Sequence, residues 1–224
     1  IDALIGIYEL NNVSLLREIY IDAYLASDDY TDVRTLRMGD LLRIHPERMG
    51  GNFTGQRSAA LFSEWIRDAI AENRPYNEIV QQIIIARGST LQVGPANFYK
   101  IDRAPEDRME TVAQAFLGQR MACARCHKHP FDKWSTDDYW NFAAFMGKVG
   151  TRGGTVEGEE FLVYEPGGNV INQSVTGKRG RVALPTLLGE KQPLAIANTL
   201  IAKARVFFGI SSAAITPMIR NLSS

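Results

Sequence analysis

Both cysteines of the chain and two of its three histidines lie in one stretch, Met121-Ala122-Cys123-Ala124-Arg125-Cys126-His127-Lys128-His129-Pro130-Phe131-Asp132-Lys133-Trp134. No other feature restricts the fold as tightly, because a Cys-x-x-Cys-His run acts as a unit only when its backbone is held in one turn. The flanks are built to hold it. Pro105, Glu106 and Asp107 read as a helix start, with proline in the first turn and acids at the positive end of the dipole. Met109, Val112, Ala113, Phe116, Leu117 and Met121 then recur at helical spacing, which predicts a helix that delivers Cys123 from its C-terminal end. Beyond the motif, Ser135-Thr136-Asp137-Asp138 reads as a capping box. It opens a second helix carrying Tyr139, Trp140, Phe142, Ala143, Phe145 and Met146 and stopping at Gly147.

Cys-x-x-Cys-His is the attachment pattern of c-type haem. Each thiol adds its S–H across one haem vinyl group, and the adjacent imidazole is placed to bind iron. In this reading Cys123 and Cys126 form the thioethers and His127 is the proximal axial ligand. Candidates for the distal position are His45, Met38, Met49 and Met146. Met109 and Met121 fall on the buried helix face and read as core, where methionine packs as a flexible apolar side chain. His45 precedes Pro46, a place where a lone histidine is ordinarily a turn residue. Other readings of the motif stay open. Cys123, Cys126, His127 and His129 form an alternative zinc cluster, whose Cys-x-x-Cys knuckle is half of a common structural site. The two thiols could also form a disulfide, although no βαβ pattern accompanies them, or be inert cysteines of a reduced core. The aromatic residues after the motif suit a haem lining and an ordinary core equally well.

The run Asn97-Phe98-Tyr99-Lys100, then Ala113-Gln114-Ala115-Phe116-Leu117-Gly118, the motif through Trp134, and Asp138-Tyr139-Trp140-Asn141-Phe142-Ala143-Ala144-Phe145 together resemble the planctomycete cytochrome-type domain of unknown function. Residues 36–49 and 65–85 resemble it more loosely. The resemblance implies a cytochrome c-like label, a mostly helical domain and a periplasmic or extracellular setting within larger secreted proteins. It implies no reaction. Members of that family have more sequence between segments like 15–22 and 41–45, and they continue beyond residues like 198–209, so the chain reads as a fragment or as a sequence with pieces closed up.

The remaining sequence is scaffold. With 224 residues, 45% of them hydrophobic, the chain can bury a sizeable core. Its formal net charge of zero points to no nucleic-acid or anionic-membrane partner. No run approaches the roughly 18–20 apolar residues of a membrane span, and the first residues show no basic signal-peptide region. Asn12 reads as the cap of a helix with Leu15, Leu16, Ile19, Tyr20 and Ala23 on one face. Ser27-Asp28-Asp29 opens another, with Tyr30, Val33, Leu36 and Leu41 expected inward. Residues 50–55 read as a loop, followed by a helix with Phe62, Trp65, Ile66, Ala69 and Ile70 that ends by Pro75. Asn77 is the expected cap of a helix burying Ile79, Val80, Ile83 and Ile84 and ending at Gly88.

The fold class expected is therefore mainly α, with the CxxCH motif between two helices and a small β-rich excursion. Residues 1–149 form the helical domain. Residues 150–192 are a glycine-rich β and loop excursion, with short strands at 161–164 and 170–172 and an extended stretch at 182–185. Residues 193–224 hold a C-terminal helix over 194–208 and a tail; its apolar surface around Phe207 suits the core or an interface. Gly153-Gly154 lacks the lysine and the strand–glycine–helix context of a phosphate loop. No Ser-His-Asp or Cys-His catalytic set is present. The functional expectation is an extracytoplasmic haem c protein serving electron transfer or a redox subunit, with other subunits or redox partners. The alternative is a structural or interaction subunit whose Cys/His cluster binds zinc or forms a disulfide. A role inside a secreted polysaccharide- or sulfate-ester-degrading system rests on association alone.

Overall fold

The computed structural model describes residues 13–165, 167–174 and 180–193. Asn12, the helix expected over 194–208 and its interface surface lie outside them. The described chain is mainly helical with small antiparallel sheets. Its α-helices are α1 (Val13–Leu25), α2 (Asp28–Leu41), α3 (Asn52–Ala71), α4 (Tyr76–Ile84), α5 (Phe98–Ile101), α6 (Pro105–Leu117) and α7 (Thr136–Ala143), with short 3₁₀ turns between. The strands are β1 (Gly88–Ser89), β2 (Val149–Gly153), β3 (Glu160–Tyr164), β4 (Ile171–Asn172) and β5 (Arg181–Val182).

Local signals fix several helix ends. The Ser27 hydroxyl accepts from the Tyr30 amide at 3.2 Å and caps α2. Ser135 and Asp138 form the expected box on α7: the Asp138 amide donates to Ser135 Oγ at 3.2 Å, and the Ser135 amide donates to Asp138 Oδ2 at 2.8 Å. α6 has Pro105 in its first turn and closes at Gly118, whose φ of 64° is the left-handed conformation that suits glycine.

Several boundaries differ from expectation. α6 stops at Leu117, so Met121 is buried outside the helix and a separate 3₁₀ turn, Ala122–Arg125, carries the motif. Gly50, Gly51 and Asn52 all have positive φ, so the turn is made in these three residues and α3 begins at Asn52 rather than after Gly55. Gly55 packs against the Pro46 carbonyl, where a Cβ would collide. Pro75, not Asn77, occupies the cap position of α4, and Gly88 sits in β1 beyond the helix end. α7 gives way after Ala143 to a 3₁₀ turn that contains Gly147.

The core lies where α3, α4, α6 and α7 meet. Phe62, Ile66, Ile83, Phe98, Tyr99, Met109, Val112, Tyr139, Phe142 and Phe145 are all fully or almost fully buried. Tyr99 donates its hydroxyl to the Ile84 carbonyl at 2.6 Å, so its one polar atom is satisfied. The first sheet has strand order β1-β3-β2, with Gly88 opposite Leu162 and Thr151 opposite Leu162 on the other side. β1 comes from the helical region, and Leu162 is buried in the common core, so the excursion is sewn to the helices. Buried Lys100 adds a stitch: its Nζ donates to Ser58 Oγ and the Gly158 carbonyl, each at 2.9 Å. β4 pairs with β5, not with β3.

The faces of α1 and α2 correct the expectation most. Among α1's described apolar side chains only Leu16 is buried; Leu15 and Tyr20 are exposed. On α2, Val33, Leu36 and Leu41 face solvent, Leu36 at 69% exposure. Helical periodicity identified an apolar stripe but could not supply the element that would cover it.

Candidate functional site

The motif turn is a surface feature anchored from behind. α6 and α7 pack on each other, and each sends a polar contact to the turn or its flank. Trp140 of α7 is buried, and its indole Nε1 donates to the Arg125 carbonyl at 3.1 Å. Trp134 is buried as well; its Nε1 donates to Gln119 Oε1 at 3.2 Å, while its carbonyl accepts from the His129 amide at 2.9 Å. Arg125, in the middle of the motif, meets Glu106 at 3.1 Å and Asp107 at 3.2 Å on α6. Glu110, one turn further on, is 3.9 Å from Arg125 and accepts from the Tyr139 hydroxyl at 2.5 Å. Burial, and then that carboxylate, hold the Tyr139 hydroxyl far above the ordinary tyrosine range. Arg125, Glu110 and Tyr139 thus lock the turn to both helices. Sequence reasoning missed this link. Its only trace was the row of acids at 106, 107 and 110 on one helix face, with an arginine inside the motif.

What the turn presents is the predicted donor set. Cys123 and Cys126 are free thiols and exposed, and His127 is exposed beside them. His127 Nδ1 lies 2.8 Å from the Lys128 carbonyl. In the tautomer that donates this bond, Nε2 keeps its lone pair for a metal, the usual posture of a ligating imidazole. The donor chemistry therefore fits thioether attachment and proximal ligation.

The surroundings are more polar than the sequence suggested. A cavity of about 310 Å³ beside Cys123 is lined by Glu110, Gln114, Gln119, Arg120, Met121 and Ala122. On the other side Lys128, Asp132 and Lys133 are exposed, and Phe131 stands out at 95% exposure. Tyr139, Trp140, Phe142 and Phe145 are already packed in the core.

The distal candidates are not gathered at the motif. None of His45, Met38, Met49 and Met146 lines the cavity beside Cys123. Met49 and Met146 are wholly buried in the core, and Met38 lines a different cleft, against α4. His45 caps the 3₁₀ turn Pro46–Met49, its Nδ1 accepting from the Glu47 amide at 3.3 Å. As for the zinc alternative, no group of three or more His, Cys, Asp or Glu among the described residues converges as a metal site. His129 turns its Nδ1 to the Phe131 amide at 3.3 Å, into its own loop.

Among the described residues no helix is long and apolar enough to cross a membrane. Neither a curated protein nor a solved structure matches the chain. A family model does match, over residues 9–151, a span that takes in α1 through α7 and the whole motif. The chain belongs to the PSCyt2 family, described as a protein of unknown function (DUF1549).

Proposed function

We propose that the chain is a c-type haem protein that works outside the cytoplasm, as an electron-transfer or redox subunit of a larger complex. One observation carries the reading: Cys123, Cys126 and His127 are exposed together on one turn, both thiols are free, and the turn is anchored from behind by Trp134 and Trp140. Free, accessible thiols are what thioether formation needs. The Lys128 carbonyl orients the imidazole, and the Arg125 contacts keep the motif backbone against α6. Haem bound there would supply a one-electron iron couple whose potential follows its axial ligands and burial. The exposed, polar neighbourhood implies a well-solvated group open to a redox partner. An extracytoplasmic setting follows, because covalent haem attachment takes place there.

A second reading, an interaction module in which the two thiols form a disulfide or hold zinc with His127 and His129, draws support from the polar cavity and from the aromatics being spent in the core. A visible spectrum of the purified protein, as isolated and after dithionite, separates the two. A sharp reduced α band at the c-type position, a matching pyridine haemochrome and colour that survives acid–acetone extraction are expected. Cys123→Ser combined with Cys126→Ser should abolish all three. A featureless spectrum from protein matured in a host with a haem-attachment system would sink the haem reading. Thiol titration and metal analysis would then choose within the second.

A further inference from the structure

The molecule has a second distinctive surface, remote in sequence from the motif. A cleft of about 250 Å³ opens where α2 passes the α3–α4 turn. Its floor is apolar, built from Met38, Leu41, Ile70 and Ile79, and its α2 wall carries Arg34 and Arg37. Both arginines are exposed and have no acidic partner among the described residues. The nearby carboxylates Asp28 and Asp32 are bound to Arg67 at 3.2 and 2.8 Å. Arg74, also at the cleft, is taken by Glu72 at 2.5 Å and Gln82 at 3.1 Å. The cleft does not end the apolar surface. Tyr30 on its wall meets Tyr24 of α1 edge-on at 6.0 Å, and Tyr24 belongs to an exposed stripe with Tyr20, Ile21 and Leu25.

We propose that this cleft and the α1 stripe together dock an acidic amphipathic segment of a partner polypeptide. Two observations select that occupant. No described residue lining the cleft is acidic, so its uncompensated charge is positive and the surface that meets Arg34 and Arg37 is acidic. The cavity falls below the roughly 300–1,000 Å³ of small-molecule sites, whereas the apolar stripe extends well past it along another helix. A partner helix would set one or two apolar side chains into the cleft, lay the rest of its apolar face on Tyr20 and Tyr24, and bring its carboxylates to Arg34 and Arg37. The surface shares no residue with the thiol turn, so it does not depend on the haem reading.

The test is fluorescence anisotropy with the full chain and a labelled amphipathic helical peptide of leucine and glutamate, against the same peptide with lysine for every glutamate. The acidic peptide should bind with an affinity that falls as salt is raised, and the lysine peptide should not. Arg34→Glu combined with Arg37→Glu, both at exposed positions, should weaken binding by about tenfold or more. Tyr24→Asp should weaken it as well, and Cys123→Ser should leave it unchanged. Equal binding of the two peptides, or full affinity in the double charge reversal, overturns the proposal. Loss in the double reversal with full affinity in Tyr24→Asp would reduce the site to one for a small anion. A chain that dimerises on its own through Leu36, lost in Leu36→Asp by sedimentation velocity, would assign the face to a second copy instead.

Discussion

The α6–α7 pair and the α1–α2 pair look alike as sequence and differ as structure. Each is two helices whose large apolar residues recur at spacings of three and four, although the pattern on α2 is the weakest of the four. In the first pair the stripe is core: Met109, Val112, Tyr139 and Phe142 are all buried. In the second only Leu16 among the described large apolar side chains is buried, while Tyr20, Tyr24, Leu25, Leu36 and Leu41 stand in solvent. The difference shows what periodicity encodes. It says which side of a helix avoids water, and a second element must still arrive to cover it. The pair with covered stripes holds the motif turn still; the pair with bare stripes offers a surface.

The largest expected effect tests that contrast directly. Phe142→Ala removes a ring that is 1% exposed, and such a truncation costs about 3–5 kcal/mol. Leu36→Ala on α2 should change stability by no more than about 0.5 kcal/mol. Urea unfolding of the two variants measures both values. A cost for Leu36→Ala comparable to that for Phe142→Ala would mean that the α2 stripe is covered in solution, and the comparison would break.

A smaller effect sharpens it at single polar atoms. Trp140→Phe deletes the indole donor to the Arg125 carbonyl and leaves a small void, at a cost of about 1–2 kcal/mol. Tyr24→Phe deletes a hydroxyl that is exposed on α1 and should be neutral in the same assay. The tryptophan variant should also speed amide exchange in the motif turn, because its anchor on α7 is gone. Unchanged exchange there would show that Trp134 and the Arg125 ion pairs hold the turn without it.

Which parts of this were legible in the sequence follows from the range of each interaction. Ser27, Pro105 and the Ser135–Asp138 box act within one turn of chain, so a reader of the sequence can place them; Gly118 acts as locally, yet the helical spacing that continues to Met121 hid it. That Cys123, Cys126 and His127 share one exposed turn was legible for the same reason, since they are close neighbours in the chain. The anchors behind it were not: Tyr139 reaches Glu110 across 29 residues and Trp140 reaches Arg125 across 15. Nor was β1, because Gly88 and Ser89 become a strand only when β3 lies beside them. The aromatics after the motif were ambiguous between a haem wall and a core; with α7 packed on α6 they are buried in the common core cluster.

The smallest effect concerns ion pairs, and it too separates the covered region from the bare one. Glu160 on β3 takes both guanidinium nitrogens of Arg103, at 2.6 and 2.8 Å, and its side chain is only 19% exposed. The hydrogen bond from Arg103 holds the Glu160 carboxyl below the ordinary glutamate range, although burial opposes it. An unfolded glutamate titrates near about 4.3. Because the folded value is the lower one, the pair contributes stability above that pH and loses it as pH falls through the folded value. Glu160→Gln should therefore be less stable than the parent at neutral pH, by about 1 kcal/mol: half-exposed Arg103 is screened by solvent, but the buried Lys100 ammonium, 3.8 Å away, also loses its counter-charge. The gap should close in acid, where the parent's carboxylate is protonated too. Arg67→Gln breaks the exposed contacts to Asp28 and Asp32 between α2 and α3, where both partners lie in water, and should produce no measurable gap at any pH. Stability followed from neutral pH into acid for the three proteins decides the matter. If the Glu160→Gln gap persists in acid, the side chain acts through packing rather than charge, and if Arg67→Gln shows an acid-sensitive loss, the α2–α3 contact is more sheltered than its exposure indicates.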